Sequence, residues 1–257
     1  MMPMPVKLSV NLNKVALLRN QREVGYPSVL EGARMVVGAG AHGVTVHPRP
    51  DERHIRRTDV FELEKLIRGD FPEAEYNIEG YPTEDFLTLV ERAHPDQVTF
   101  VPDDPLQATS DHGWNIEANT VVLEPAIARM RAAGVRVSLF VNADPAAPAA
   151  AAMVGADRVE LYTGPYGGAL KPEVAKVHLM ALKETADAAR KAGENAHAGG
   201  RRIGINAGHD LTLTNLPPLR AAIPDLAEVS IGHALTADAL LMGYGEAVRR
   251  YKAACGG

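Results

Sequence analysis

The sequence predicts an α/β fold, a (β/α)8 TIM barrel with additional helices, formed by residues 1–257 as a single domain. Two observations favour this architecture. Eight short apolar segments alternate with about eight helical ones, and such alternation is typical of parallel βαβ units, eight of which close into a barrel. Several joints before the strands are also alike, being rich in glycine and alanine: 40–43, 133–134 and 155–157. An open doubly wound sheet is the alternative, but no Gly-x-Gly-x-x-Gly motif or Walker-type lysine loop supports it.

The first half of the chain contains four predicted strands, each an apolar run ended by a proline, a glycine or a polar loop: 6–11, 44–47, 75–79 and 96–101. Because proline cannot donate to a sheet, Pro48 and Pro50 place the end of the second strand near His47. Capping residues or a first-turn proline precede three apolar helical stripes: 27–38, 58–69 and 83–90. Two polar segments are predicted as loops, 12–22 and a mobile one at 102–119.

The second half repeats the pattern with four more strands: 135–141, 158–162, 202–206 and 228–231. Helices are predicted between these strands and after the last: 121–133, an alanine-rich segment that ends at 154, 173–193, 213–222 and 236–254. Together the two halves supply eight strand and helix units, which is the number that a closed barrel needs.

Composition excludes several classes of protein. A chain of 257 residues with 46% hydrophobic residues can build one large core. A net charge of −5 and a pI near 6.0 give no basic surface for nucleic acid. The single cysteine, Cys255, rules out an intramolecular disulfide and a thiolate metal cluster. Since the chain has no leader-like start and no apolar run of about 18 residues, we expect a soluble, cytoplasmic protein without a membrane segment.

Polar side chains are concentrated where the predicted strands end, and in a barrel the carboxyl ends of the strands surround the active site. The residues at these ends are Asn11, His47, Glu79, Asn142, Glu160, Thr163, Asn206, His209 and His233. Any one of them could be a hydrogen-bonded structural residue. Three histidines and two glutamates at one mouth, however, favour function, because burying them together costs desolvation energy.

Metal binding and phosphate binding are other roles open to such residues. The sequence has no His-x-His pair, no Glu-x-x-His motif and no set of cysteines, so a metal site is not favoured. Small residues around Gly232 and Gly208 favour a phosphate site on backbone N–H groups and a helix start. Three further basic residues could clamp a second anion: Arg22, Arg49 and His54.

Motifs along nearly the whole chain resemble those of the pyridoxine 5'-phosphate synthase family. They are Val10-Asn11, Leu18-Arg19-Asn20, Tyr26-Pro27, Thr45-Val46-His47 with Arg49, Arg53-His54-Ile55, Asn77-Ile78-Glu79, Val101-Pro102, Val137-Ser138-Leu139-Phe140, Glu160 with Thr163-Gly164, Asn206-Ala207-Gly208-His209, Leu211-Thr212 and Ile231-Gly232-His233-Ala234. The resemblance implies a barrel with extra helices, a homo-octamer, and no metal or organic cofactor. It also implies a transferase of vitamin B6 biosynthesis. That enzyme condenses 3-amino-2-oxopropyl phosphate with 1-deoxy-D-xylulose 5-phosphate to pyridoxine 5'-phosphate, phosphate and water.

The resemblance also implies roles for particular residues. His47 and Glu79 would be proton acceptors and His209 a proton donor. Asn11 would bind the amino ketone, while Arg49, His54 and Thr109 would bind the deoxyxylulose phosphate. The remaining substrate and phosphate contacts would come from Asn13, Lys14, Arg22, Asp210, Gly232 and His233.

The sequence departs from the family pattern in two places, residues 13–14 and residue 210. Asn13 and Lys14 stand where the family has Asp-His, so position 13 cannot act as a base, and we expect Lys14 to supply charge toward a substrate phosphate. Asp210 stands where a glycine often follows the donor histidine, and it would repel a phosphate unless it points away or pairs with a basic residue. Two alternatives stay open: a phosphosugar aldolase or isomerase barrel, although no strand ends in the lysine of a Schiff-base aldolase, and a non-catalytic phosphometabolite-binding relative.

Overall fold

The computed structural model describes residues 5–103, 110–194 and 203–257. Eight parallel strands close into a barrel in chain order, and the last strand pairs with the first. They are β1 Lys7–Asn11, β2 Gly43–Val46, β3 Glu75–Gly80, β4 Gln97–Phe100, β5 Arg136–Val141, β6 Arg158–Tyr162, β7 Gly204–Gly208 and β8 Leu226–Ile231. The predicted (β/α)8 barrel is therefore confirmed.

Helices surround the barrel and follow every strand in the described ranges. They are α1 Asn13–Arg19, α2 Val29–Gly38, α3 Arg57–Asp70, α4 Glu84–Ala93, α5 Thr120–Ala132, α6 Ala147–Met153, α7 Gly164–Gly167, α8 Pro172–Glu194, α9 Leu216–Ala222, α10 His233–Met242 and α11 Tyr244–Ala254, with a 3-10 turn at Glu117–Asn119. Hydroxyl side chains cap two of them, since Ser28 accepts the N–H of Glu31 and Thr83 accepts that of Phe86. A cap at Thr58 was also predicted and is wrong, because α3 begins at Arg57. Asp59 instead accepts the backbone N–H of Arg56 at 2.7 Å. None of these helices has the length and apolar character needed to span a membrane.

The segment after β1 was predicted to be a polar loop, and this prediction is wrong, because α1 begins almost at once. The side-chain oxygen of Asn11 accepts the N–H of Asn13 at 2.9 Å, which satisfies one free donor of the first turn. Val15 and Ala16 are buried on the inner side of the helix. With only seven residues, the helix shows too little of its period to be recognised in the sequence.

The terminal helix was predicted to be continuous and is divided. Gly243 has a φ of +80°, a conformation that favours glycine, and it separates α10 from α11. The first of the two helices also begins earlier than predicted, at His233. Its N-terminus therefore lies directly at the end of β8, beside Gly232.

Asn206 was expected at the mouth of the barrel, and this expectation is also wrong. β7 continues to Gly208, so Asn206 lies inside the barrel, where its side-chain oxygen accepts a hydrogen bond from Arg158 at 3.0 Å. Its amide nitrogen donates to Glu228 at 3.3 Å. Asn206 therefore belongs to a polar layer toward the amino ends of the strands, which also contains Gln97 and Arg136.

A buried ion pair fixes the loop between β2 and α3, which carries much of the site. Arg19 of α1 donates to both carboxylate oxygens of Asp59 on α3, at 2.5 and 2.9 Å. The same guanidinium donates to the backbone oxygen of His54 at 3.0 Å. Because each charge is paired and further hydrogen-bonded, the desolvation cost is offset and the His54 backbone is held in place.

Candidate active site

A cavity of about 350 Å³ lies at the carboxyl ends of the strands. It is lined by twelve of the residues predicted from the sequence: Asn11, Asn13, Lys14, His47, Arg49, His54, Glu79, Glu160, His209, Asp210, Gly232 and His233. The structure thus brings together side chains from six different strand ends or following loops, as the barrel architecture predicts.

His47 and Glu79 face each other inside this cavity. The Nδ1 atom of His47 lies 3.9 Å from Oε2 of Glu79, and both residues are buried. Asn11 donates its side-chain N–H to the same carboxyl oxygen at 3.4 Å. A histidine and a carboxyl group this close together can both reach the same bound molecule and exchange protons with it.

Burial changes the proton affinity of both groups. Burial, and after it the charge of the nearby Asp103 carboxylate, raise the pKa of Glu79 to about 8, although Arg49 opposes this shift. The pKa of His47 lies well below its usual range, first because of burial and then because of the positive charge of Arg49. At neutral pH the imidazole is therefore neutral and most of the Glu79 carboxyl is protonated.

His209 stands on the opposite side of the cavity, just after β7. Its ring lies 4.9 Å from that of Phe140 and 5.4 Å from that of Tyr162, measured between centroids. Burial lowers the pKa of His209 to about 4, so its imidazole is also neutral at neutral pH. Thr163 holds the turn below the ring, since its hydroxyl donates to the backbone oxygen of Gly208 at 2.6 Å.

Glu160 is a second buried carboxyl group of the cavity. It is 1% exposed, and within the described residues its Oε2 atom has no hydrogen-bond partner. Burial, followed by the charges of Glu79 and Glu228, raises its pKa well above the usual range. The strand-end pattern indicated this residue, but the resemblance gave it no role. Its unsatisfied oxygen is the signal that the sequence could not provide.

Asn13 and Lys14 follow β1 and enter the cavity from α1. The side-chain oxygen of Asn13 accepts the backbone N–H of His47 at 2.9 Å, so Asn13 holds the loop after β2 in place. The charge of Lys14 contributes to lowering the pKa of His54, after burial and Arg49, to about 4. Lys14 therefore stands where a phosphate dianion would meet positive potential.

The departure at Asp210 has a backbone explanation. Asp210 has a φ of +54°, and His209 before it a φ of +83°, both in the left-handed region. Glycine adopts this conformation without strain, and aspartate tolerates it better than most residues do. This explains why the turn accepts the glycine of the family pattern and also the aspartate of this chain. Asn215 donates its side-chain N–H to the backbone oxygen of Asp210 at 2.9 Å and so helps to hold the turn.

At Gly232 the backbone itself forms part of the cavity wall. A Cβ atom at this position would lie 3.1 Å from Cβ of Asn11, so only glycine leaves the space open without displacing a neighbour. The residue precedes α10, whose first N–H groups are the donors expected for a phosphate. His233, at the first position of that helix, also lines the cavity.

Two of the predicted substrate ligands are not part of the observed lining. Arg22 is exposed in the turn after α1 and does not line the cavity of its own chain. Thr109 lies outside the described residues. No group of three or more histidine, cysteine or acidic side chains suited to a metal ion occurs in the part of the chain that the structure describes.

Some known proteins are similar to this chain in fold alone, and others are similar in sequence as well. Solved structures share the fold alone: the tryptophan synthase alpha subunit from Legionella pneumophila is 14% identical, with a TM-score of 0.64 over 97% of this chain and 92% of that one. Thiamine phosphate pyrophosphorylase from Pyrococcus furiosus is 15% identical, with a TM-score of 0.60 over 98% and 96%.

The similarity to two rhizobial proteins is far higher. Pyridoxine 5'-phosphate synthase of Mesorhizobium japonicum is 57% identical over 254 residues, which cover 98% of this chain and 100% of the relative. The protein of the same name from Allorhizobium ampelinum is 57% identical over 256 residues, covering 98% and 99%. A sequence model of one family, described as pyridoxal phosphate biosynthesis protein PdxJ, matches residues 8–257. The chain therefore belongs to the PdxJ family of pyridoxal phosphate biosynthesis proteins.

Proposed function

We propose that the protein is a pyridoxine 5'-phosphate synthase. It condenses 3-amino-2-oxopropyl phosphate with 1-deoxy-D-xylulose 5-phosphate to form pyridoxine 5'-phosphate, with release of phosphate and water. The names of the relatives support this reaction. The observation that carries the proposal is the meeting of His47, Glu79 and His209 around one cavity that also contains basic side chains.

Acid and base groups supply the chemistry. Formation of an imine between the amino group and a ketone, loss of phosphate and water, and aromatisation of the ring are successive proton transfers. His47 is neutral at neutral pH and accepts a proton, while neutral His209 takes up a proton during turnover and returns it to a leaving oxygen. Only the ionised fraction of Glu79 can accept a proton, because its pKa is about 8. This scheme uses neither a metal ion nor an organic cofactor.

Positive charge and backbone N–H groups hold the two phosphorylated substrates. The first N–H groups of α10, which follow Gly232 and include that of His233, suit the phosphate of the amino ketone. Asn11 binds the same substrate. Arg49 and His54 suit the deoxyxylulose phosphate, with Lys14 adding charge on the same side of the cavity. Arg22, Asp210, Asn13 and Thr109 complete the proposed set of substrate contacts.

The experiment that tests the reaction uses both substrates and the purified full-length protein. Product absorbance and released phosphate are followed with both substrates and with each alone. Pyridoxine 5'-phosphate formed only with both supports the proposal. Binding of both substrates without any product would instead support the non-catalytic relative, and cleavage or isomerisation of a single phosphosugar would support the other alternative.

We propose in addition that the enzyme works in the cytoplasm as a homo-octamer. Apolar side chains on α8 are exposed and fit burial against another copy: Val174, Val177 and Met180 are 44, 65 and 53% exposed. Sedimentation velocity tests this assembly. Val177→Asp should yield smaller species, whereas Val121→Asp, at an exposed valine on α5, should leave the assembly intact.

A further inference from the structure

Asp103 is a buried carboxylate beside the catalytic cavity, and neither the sequence nor the family resemblance gave it a role. It follows β4 by three residues and is 8% exposed. Its Oδ2 atom lies 3.7 Å from Nε2 of His47, on the side of the imidazole away from Glu79. A charge in this position acts directly on the groups that transfer protons.

The main partner of Asp103 is the substrate-binding residue Arg49. The Nη2 atom of Arg49 donates to Oδ2 of Asp103, and the two side chains are only 3 and 5% exposed. Ser110 donates its hydroxyl to the same oxygen at 2.9 Å. The pair is thus desolvated, and desolvated charge pairs interact much more strongly than pairs on the surface.

The carboxylate itself is poorly stabilised at this position. Its other oxygen, Oδ1, is buried without a hydrogen-bond partner among the residues that the structure describes. Burial raises the pKa of Asp103, and the opposing effects of Arg49 and the Ser110 hydroxyl do not cancel this shift. A carboxylate with one unsatisfied oxygen is a weaker competitor for a guanidinium than a fully hydrogen-bonded one.

Arg49 is placed to exchange this partner for another anion. Its side chain lines the catalytic cavity, and together with Asp103 it also lines an adjoining cavity of about 720 Å³. A phosphate dianion offers two charges and several acceptor oxygens to the planar guanidinium, whereas Asp103 offers one charge.

We infer that Asp103 is a positioning and specificity residue of the reaction, which holds the Arg49 guanidinium in the substrate-free protein and competes with the substrate phosphate for it. The competition selects between ligands. A phosphate dianion displaces the carboxylate from Arg49, whereas a ligand with a single carboxylate gains nothing by the exchange. The inference deepens the proposed function, since it concerns the phosphate site of the deoxyxylulose substrate.

The test is titration of the full-length protein with inorganic phosphate and with acetate at pH 8, followed calorimetrically. Asp103→Asn keeps the shape of the side chain and removes its charge. We expect this variant to bind phosphate at least about fivefold more tightly than wild type and to gain affinity for acetate. Asp103→Glu keeps the charge and should stay within about twofold of wild type. Asp103→Ser serves as a second neutral variant if the asparagine variant does not fold.

Two controls separate local competition from a general effect of charge. Asp70→Asn removes a carboxylate that pairs with Arg34 on the surface, and it should not change phosphate affinity. In an Arg49→Ala background, Asp103→Asn should change affinity by less than about twofold, because the contested guanidinium is gone. A purely structural role for Asp103 would lower phosphate affinity rather than raise it.

Equal or weaker phosphate binding by both neutral variants would overturn the inference, as would an equal gain in the Arg49→Ala background. These titrations require no turnover, so they remain decisive even if the protein made no pyridoxine 5'-phosphate. Conversely, an active wild type whose neutral Asp103 variants bind phosphate no more tightly would leave the proposed function standing and remove only the role of Asp103.

Discussion

Nδ1 of His47 and Oε2 of Glu79 lie 3.9 Å apart at the ends of two neighbouring strands, and both side chains are buried. Their environments move their pKa values in opposite directions, so that at neutral pH the imidazole is neutral and the carboxyl mostly protonated. Two groups that are both uncharged cost little to bury together. A phosphorylated substrate can then enter without first breaking a tight ion pair.

Replacing Glu79 by glutamine should separate binding from chemistry. The amide keeps the size of the side chain and can still accept a hydrogen bond from Asn11, but it cannot exchange a proton. We expect KM values close to those of wild type and a kcat lower by about a hundredfold or more. Steady-state kinetics with both substrates measures this, and a fully active variant would remove Glu79 from its role.

The activity should depend on pH through the same group. Because burial raises the pKa of Glu79 to about 8, the ionised form that accepts a proton increases as pH rises. We expect kcat/KM to increase from pH 7 to about 8.5 and this rise to be absent in Glu79→Gln. Asp103→Asn should move the rise to lower pH, because the charge of Asp103 contributes to raising this pKa. If kcat/KM still increased with pH in Glu79→Gln, the increase would come from another titrating group.

The raised pKa of Glu79 makes stability fall as pH rises, whereas activity is expected to rise. Between the ordinary value of 4.5 and about 8, the folded protein binds a proton at Glu79 that the unfolded chain does not. The contribution of this group to stability is thus fully present below pH 4.5 and is lost as pH rises through 8. Urea unfolding at pH 7 and pH 9 should show a smaller difference in Glu79→Gln than in wild type.

Lys14 should contribute to substrate affinity through its charge. It lines the cavity on the side of Arg49 and His54, where the family pattern has a histidine. We expect Lys14→Ala to raise the KM for 1-deoxy-D-xylulose 5-phosphate by about tenfold, as is usual for the loss of a charge-assisted contact. Lys65→Ala, at an exposed lysine of α3, is the matched control and should behave as wild type. Unchanged kinetics in Lys14→Ala would rule out the role.

The sequence predicted the barrel and most of the site because both depend on local signals. Pro48 and Pro50 end β2 next to His47, and the carboxyl ends of parallel strands meet by geometry alone. The errors have a different origin. The depth of Asn206 in the barrel depends on where β7 ends. The hydrogen bond between Asn13 and the backbone of His47 depends on how the segments that follow β1 and β2 pack together. Neither relationship leaves a periodic pattern in the chain.

Asp103 illustrates the same limit within the site. In the sequence it is one acid in a polar segment that follows a proline, and nothing distinguishes it from Asp111 in the same segment. The role that we infer for it rests on burial beside Arg49 and on an oxygen without a hydrogen-bond partner in the described residues. Both are properties of packing between loops of different strands, so the structure was needed to find them.

Asp210 should tolerate glycine better than alanine. Its φ of +54° costs a non-glycine residue about 1 kcal/mol, and alanine has no side chain that could stabilise the turn. We expect Asp210→Gly to unfold with a free energy equal to wild type or higher by up to about 1 kcal/mol, and Asp210→Ala with a lower one. Chemical denaturation of the three proteins makes the comparison. An alanine variant as stable as the glycine variant would show that backbone strain at this position is unimportant.

Gly208 should be needed for the position of Glu160. A Cβ atom at Gly208 would lie 2.3 Å from Oε1 of Glu160, which is buried and lines the cavity, so the carboxyl group would have to shift. We expect Gly208→Ala to lose about 1–3 kcal/mol of stability and to reduce kcat/KM by at least about tenfold, because the displaced carboxyl group occupies space meant for substrate. Gly69→Ala is the control, since no atom lies within 4 Å of the added Cβ and alanine favours the helix there. Thermal unfolding and steady-state kinetics distinguish the two effects. If Gly208→Ala kept wild-type kinetics, Glu160 would not need its observed position, and its unsatisfied oxygen would have no part in the reaction.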